Sequence, residues 1–131
     1  MKRLAIDVRP GEYAVVHLPP DAPVPGGLLE PGPFLASVTR TPAELSIICH
    51  AGAAPEGAEI ERGWRLLSVR GPIKFTLTGV ISALSAELAA AGVALFSLST
   101  HGTAHVLVPA ADLDRAVRVF RDSGHEVALP A

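Results

Sequence analysis

The amino-acid sequence predicts an α+β fold built from two related units. Residues 63–131 run through β-type and helical patterns in the order β-α-β-β-α-β, and residues 1–61 repeat part of that order. Of the 131 residues, 49% are apolar, which is enough for a core that needs no disulfide or metal. We therefore predict a degenerate first unit over residues 1–61 and a complete second unit over residues 62–131.

The second unit opens with a strand over residues 64–70, which a Gly-Pro pair ends. A helix follows to about residue 91, because apolar residues recur there at helical spacing; Thr76 or Thr78 can cap its start and Gly92 its end. The remaining predicted elements are strands over residues 94–100 and 104–108, a helix over 111–123 and a strand over 126–129. This order of elements is that of a ferredoxin-like unit.

The first unit lacks the sequence of a full first helix. Four prolines lie within residues 21–33, and proline is tolerated in the first turn of a helix but not in its interior. We therefore predict a shortened helix of one or two turns over residues 26–30. Strands are predicted over residues 4–8, 12–18, 34–40, 45–49 and 58–61. Gly11 and Gly63 each open a predicted strand that a proline ends, which supports two related units.

The charge pattern argues against nucleic acid and membranes as partners. The formal net charge is −2, and the nine arginines are scattered along the sequence. No stretch approaches the ~20 apolar residues of a membrane span, and the apolar run near the N-terminus is too short for a signal peptide, so we expect a cytoplasmic protein. Cys49 is the one cysteine and follows two isoleucines, so we expect a buried, inert thiol.

Four short stretches, taken in their order along the chain, are specific in combination. They are residues 45–49 (LSIIC), 61–64 (ERGW), 71–79 (GPIKFTLTG) and 96–100 (FSLST). In this order they resemble the small proteins with tandem ACT domains, relatives of the animal cytosolic arginine sensors. The resemblance covers nearly the whole chain.

This resemblance implies a protein that binds an amino acid where two ACT units meet and performs no catalysis. In the family the ligand lies against a loop with the helix start that follows it, and against a strand end. The matching residues here are Lys74, Phe75, Thr78, Gly79, Val80, Ser99, Thr100, His101 and Thr103. A helix N-terminus stabilises a carboxylate by about 0.3–2 kcal/mol, which agrees with this placement. An open sheet edge would allow a homodimer, and a regulatory module implies a regulated partner protein.

The sequence departs from the family pattern at two positions near this site. Relatives commonly have an aspartate where Lys74 stands, and a second aspartate that would meet a ligand's ammonium where Ala104 stands. Losing that acid removes a partner for a cation, and Lys74 adds a positive charge. We therefore expect a neutral or acidic amino acid, or another small carboxylate, rather than a basic one.

Simpler interpretations stand beside these assignments. Thr76 and Thr78 can be helix caps, Lys74 a solvated charge, and Trp64 a core side chain or an anchor between units. His101 and His105 are four residues apart without an acidic or thiolate stretch nearby, which is a weak pattern for a metal pair. We expect no metal.

No catalytic or cofactor motif is present in the sequence: there is no G-x-S-x-G elbow, P-loop, G-x-G-x-x-G or H-E-x-x-H. We therefore expect neither an enzyme nor a cofactor. Two alternatives to a non-catalytic amino-acid-binding protein remain. One is an interaction or oligomerisation module whose pocket has decayed, and the other is a small enzyme that uses dispersed residues.

Overall fold

The computed structural model describes residues 3–32, 35–71 and 77–130. Its contacts divide the chain into two units. The N-terminal unit comprises residues 11–64, and the C-terminal unit comprises residues 65–130 together with residues 3–10.

Eight strands and two α-helices are described. The strands are β1 (Ala5–Val8), β2 (Tyr13–Leu18), β3 (Ser37–Arg40), β4 (Leu45–His50), β5 (Glu59–Val69), β6 (Phe96–Ser99), β7 (Ala104–Pro109) and β8 (Glu126–Ala128). The helices are α1 (Leu77–Ala90) and α2 (Leu113–Asp122), and single 3₁₀ turns occur at Ala51–Ala53 and Ala110–Asp112. None of the described helices is long and apolar enough to cross a lipid bilayer.

The N-terminal unit has the strand order of a ferredoxin-like sheet without its α-helices. Its strands lie in the order β3-β4-β2-β5, with every neighbouring pair antiparallel. Residues 26–29, where the shortened helix is predicted, form turns only. One face of the sheet is apolar, and its buried side chains are Ala14, Val16, Leu45, Ile47 and Cys49.

Strand β5 belongs to both units. The sequence predicts two strands separated near Gly63, whereas the structure has one strand of 11 residues. Gly63 has a φ of +81°, and the register of β2 against β5 shifts between Tyr13 and Val15. Gly63 therefore forms a bulge inside a continuous strand, since glycine takes this backbone conformation without a steric cost.

The C-terminal unit is a five-stranded sheet in the order β6-β7-β5-β1-β8, with α1 and α2 packed on it. Its core draws on both helices and four strands, including Ile6, Leu67, Leu84, Leu88, Val106 and Phe120. Helix α1 ends as predicted. Gly92 has a φ of +74°, and the N–H of Val93 donates to the carbonyl of Leu88.

Strand β1 packs in the C-terminal unit, whereas the predicted division at residue 61 assigned it to the first unit. It pairs antiparallel with β5, where Ile6 faces Val69, and parallel with β8, where Ile6 faces Val127. Ile6 and Val8 are 1% and 3% exposed, and both lie in the core beneath the helices. Burial of these two side chains and hydrogen bonding to two strands hold β1 in place.

His125 ties the start of β1 to helix α1. Its Nδ1 accepts the backbone N–H of Leu4 at 3.1 Å, so the ring proton of the neutral imidazole lies on Nε2. Nε2 is 3.0 Å from Oε1 of Glu87 in α1. Because the imidazole is only 3% exposed, both partners satisfy a buried polar ring.

Replacing Ile6 by alanine tests the place of β1. We expect Ile6→Ala to lower the unfolding free energy of the C-terminal unit by about 2–5 kcal/mol, because it leaves a cavity in the core beneath the helices. Urea unfolding followed by the helical circular dichroism signal measures this, since both described α-helices lie in that unit. Leu129→Ala is the control, because Leu129 is 58% exposed. Equal stability of the two variants would contradict the packing of β1.

Candidate functional site

The predicted ligand residues that the structure describes lie at one end of the C-terminal unit, where β5 ends, α1 begins and β6 turns into β7. Lys74, Phe75 and the candidate cap Thr76 lie outside the described residues. Helix α1 begins at Leu77, so Thr78 lies in its first turn rather than at its cap. The side chain of Thr78 is also outside the described part of the chain.

Gly79 and Val80 differ in their exposure to a ligand. Gly79 is exposed, and a Cβ placed on it would meet no atom of the described residues within 4 Å. Its surroundings are therefore open, and the backbone of the first helical turn is accessible there. Val80 is 3% exposed and its side chain packs in the core. Only the backbone of Val80 can face a ligand.

The turn between β6 and β7 is fixed to the end of β5. The N–H of Thr100 donates to the carbonyl of Thr103 at 2.9 Å, and the N–H of Thr103 lies 3.3 Å from the hydroxyl of Thr100. The Thr103 hydroxyl donates to the carbonyl of Val69, the last residue of β5. Ser99 and His101 are exposed beside it. The structure thus places residues 99–103 at the end of β5.

Ala104 does not lie on the surface of this site. It is fully buried and packs in the hydrophobic core of the unit. An aspartate at this position would point into apolar surroundings, where a carboxylate is costly without partners. The alanine therefore completes the core rather than simply removing an exposed charge.

An ion pair follows directly where β5 ends. Arg70 Nη2 lies 2.6 Å from Oδ1 of Asp7, and Nε lies 3.2 Å from Oδ2. These two hydrogen bonds from Arg70 hold the pKa of the Asp7 carboxyl below its ordinary value. Asp7 lies on β1, so its negative charge is fixed beside the end of β5.

Ser68 and His105 form a hydrogen-bonded pair between β5 and β7. The Ser68 hydroxyl lies 2.8 Å from Nδ1 of His105. Burial, with a smaller effect from the charge of Arg9, lowers the pKa of His105 below its ordinary value of 6.5. Ser68 is 3% exposed, so its hydroxyl is not accessible to a substrate as a nucleophile would have to be.

The potential metal ligands among the described residues do not form a metal site. Within residues 3–32, 35–71 and 77–130, no three His, Cys, Asp or Glu side chains lie close enough to hold a metal ion. Cys49 is fully buried, as predicted, and burial raises the pKa of its thiol. The thiol therefore stays protonated near neutral pH and is shielded from reagents.

A cavity of about 390 Å³ lies in the N-terminal unit, between the proline- and glycine-rich segment after β2 and the end of β4. It occupies the region where this unit has turns in place of a helix. Its lining is mostly small and apolar, with Glu30 on the segment and Cys49 and His50 on the strand. The cavity provides volume without converging charged groups, in contrast to the end of the C-terminal unit.

Comparison with known proteins shows a similarity over part of the chain. Residues 59–122 match the family model of the ACT domain. This segment is similar to an ACT domain. The match includes β5, α1, β6, β7 and α2, and therefore every described residue of the predicted ligand site. A search of curated proteins finds no match.

Solved structures share the fold of this chain over nearly its whole length. Protein Atu0741 from Agrobacterium tumefaciens is 27% identical, with a TM-score of 0.90 over 100% of this chain and 96% of that one. Protein VC0802 from Vibrio cholerae, a possible transport protein, is 18% identical, with a TM-score of 0.67 over 91% and 88% of the two chains. The regulatory subunit of aspartate kinase from Thermus thermophilus is 14% identical, with a TM-score of 0.59 over 94% and 98%.

A second cluster of polar residues, outside the predicted ligand residues, was not predicted from the sequence. Arg3, Arg70 and Arg121 line one cavity of the C-terminal unit, although they are far apart along the chain. The spacing of these arginines along the chain does not indicate a cluster, because only the pairing of β1 with β5 and β8 brings the three together. Asp7 was missed for the same reason.

The depressed pKa of His105 predicts a pH-dependent stability. As the pH falls below about 6.5, the unfolded chain takes up a proton at this residue before the folded chain does, so the unfolding free energy decreases. We expect His105→Gln to lack this part of the decrease. Denaturant titrations at several pH values measure it, with His101→Gln as the exposed control. Parallel pH profiles of the wild type and His105→Gln would contradict the assignment.

Proposed function

We propose that the protein is a non-catalytic regulatory module that binds a neutral or acidic amino acid, or another small carboxylate. The match of residues 59–122 to the ACT domain carries this proposal. ACT domains are regulatory small-molecule-binding modules, and the elements that match contain the predicted ligand residues.

The local geometry supports binding at the start of α1 and the turn before β7. The first N–H groups of a helix have no partner within the helix and carry a partial positive charge, so they suit a carboxylate. Gly79 leaves the backbone of this turn open. Thr100 and Thr103 hold the turn before β7 through hydrogen bonds to each other, and Ser99 and His101 are exposed beside it.

A second candidate function is an interaction or oligomerisation module with a decayed pocket. The burial of Val80 and Ala104 favours it, because two positions that match the family site present no side chain to a ligand. A homodimer and a regulated partner protein are compatible with either function. Ligand binding separates the two.

A thermal-shift panel of amino acids and small carboxylates tests the proposed ligand class. A ligand at about 100 times its Kd should add about 2.7 kcal/mol to the unfolding free energy and raise Tm by several degrees. We expect aspartate, glutamate or a neutral amino acid to act and arginine and lysine not to. Calorimetric titration of each active compound gives its Kd. Tighter binding of a basic amino acid would contradict the preference, and a flat panel would favour the second function.

Gly79→Ala separates ligand binding from folding. Alanine within a helix is about 0.5–1 kcal/mol more stable than glycine, and the added Cβ meets open space, so we expect a slightly more stable protein. The same methyl group covers the backbone that the ligand approaches, so binding should weaken several-fold. Ser82→Ala, on the exposed face of the same helix, is the matched control and should bind normally. Unchanged binding by Gly79→Ala would place the ligand elsewhere.

A further inference from the structure

Three arginines that are distant in sequence line one cavity of the C-terminal unit. The cavity measures about 350 Å³ and lies where β1 and β8 begin and β5 ends. Arg3 precedes β1, Arg70 follows β5, and Arg121 lies in the last turn of α2. We call this site the arginine cavity; His125, Glu126, Val127 and Ala128 complete its lining.

The three guanidinium groups differ in their partners. Arg70 forms its bidentate pair with Asp7, and Arg3 Nη2 lies 3.2 Å from Oε1 of Glu126. Arg121 donates to a carbonyl instead, that of Val127, at 2.8 Å. Within the described residues no carboxylate lies within ion-pair distance of Arg121. Its charge is therefore held in position by a backbone contact but is not neutralised.

The arginine cavity has an excess of positive charge. Among the described residues, three guanidinium groups line the cavity with one carboxylate, that of Glu126. The carboxylates of Asp7 and Glu87 are not part of the lining and bind Arg70 and His125. Each guanidinium carries five N–H donors, and the contacts above use one or two of them. The guanidinium group is planar and can donate two parallel hydrogen bonds to the oxygens of a carboxylate or phosphate. The arginine cavity therefore contains guanidinium N–H donors without partners in the described part of the chain and an excess of positive charge.

Glu126 is the carboxylate that an incoming anion would meet. Its side chain is 63% exposed and contacts Arg3, whose side chain is 68% exposed. An exposed ion pair of this kind contributes only about 0–1 kcal/mol, so a ligand can displace it at small cost. Asp7, by contrast, is 23% exposed and held by two hydrogen bonds, so it stays in place.

We propose that the arginine cavity binds the oxyanion group, carboxylate or phosphate, of a small molecule. Arg121 supplies the uncompensated charge, Arg3 and Arg70 supply further donors, and Glu126 competes with the ligand from within the chain. The site uses none of residues 78–80 or 99–103. It is therefore independent of the amino-acid site proposed above, and either one can fail without the other.

Titrations with inorganic phosphate and with succinate, at constant ionic strength, test the proposal. Backbone amide chemical shifts of the full-length protein give the Kd, and sodium chloride at matched ionic strength shows the effect of salt alone. We expect saturable shifts around residues 121–128, with phosphate and succinate distinguishing a phosphate ligand from a carboxylate. Arg121→Gln should weaken binding about tenfold, because a charge-assisted hydrogen bond is lost. Arg118→Gln, an exposed arginine of the same helix outside the cavity, should bind as the wild type does.

Glu126→Gln provides a test in the opposite direction. Removing the internal competitor should strengthen anion binding about threefold, whereas general loss of structure would weaken it. Circular dichroism of each variant verifies that the helices are intact. Linear, salt-like shifts with both anions, equal Kd values for Arg121→Gln and Arg118→Gln, or weaker binding by Glu126→Gln would each overturn the proposal.

Discussion

The C-terminal unit depends on the pairing of β1 with both β5 and β8. Among the described strands, β8 pairs with β1 alone, so β1 connects the last strand of the unit to the rest of its sheet. Ile6 and Val8 enter the core on one face. The hydrogen bond from Leu4 to His125 fixes the start of the strand, and Asp7 binds Arg70 at the end of β5. Apolar burial stabilises this arrangement, and the alternation of buried and partly buried residues along β1 favours its register.

The same pairing decides which chemical groups meet. On one side of β5 the Thr103 hydroxyl attaches the turn before β7 to Val69, next to the start of α1. On the other side, β1 and β8 bring Arg3 and Arg121 towards Arg70. One end of the C-terminal unit therefore presents two sets of polar groups. A ligand could bind to either set without disturbing the packed core beneath. This arrangement supports the proposed role as a module that binds small molecules.

Much of the local structure follows from the sequence. Helix α1 and its end at Gly92 follow from spacing and glycine. The prolines of residues 21–33 exclude a full helix, but the sequence predicted a short helix over residues 26–30, and the structure has turns at residues 26–29. Long-range pairing does not, because a strand as short as β1 carries no local signal for its partners. Gly63 illustrates a second limit: a glycine that can end a strand can equally form a bulge within it. The arginine cavity depends on pairing, so its residues were missed, whereas the ACT-type site was predicted from the resemblance of residues 71–79 and 96–100.

The most direct test of a ligand-responsive C-terminal unit is a backbone amide chemical-shift map recorded with and without aspartate. We predict saturable chemical-shift changes at residues 77–80 and 99–103 and unchanged amide shifts in the N-terminal unit. Changes confined to the cavity of the N-terminal unit, or no change at millimolar concentrations of any amino acid, would contradict it.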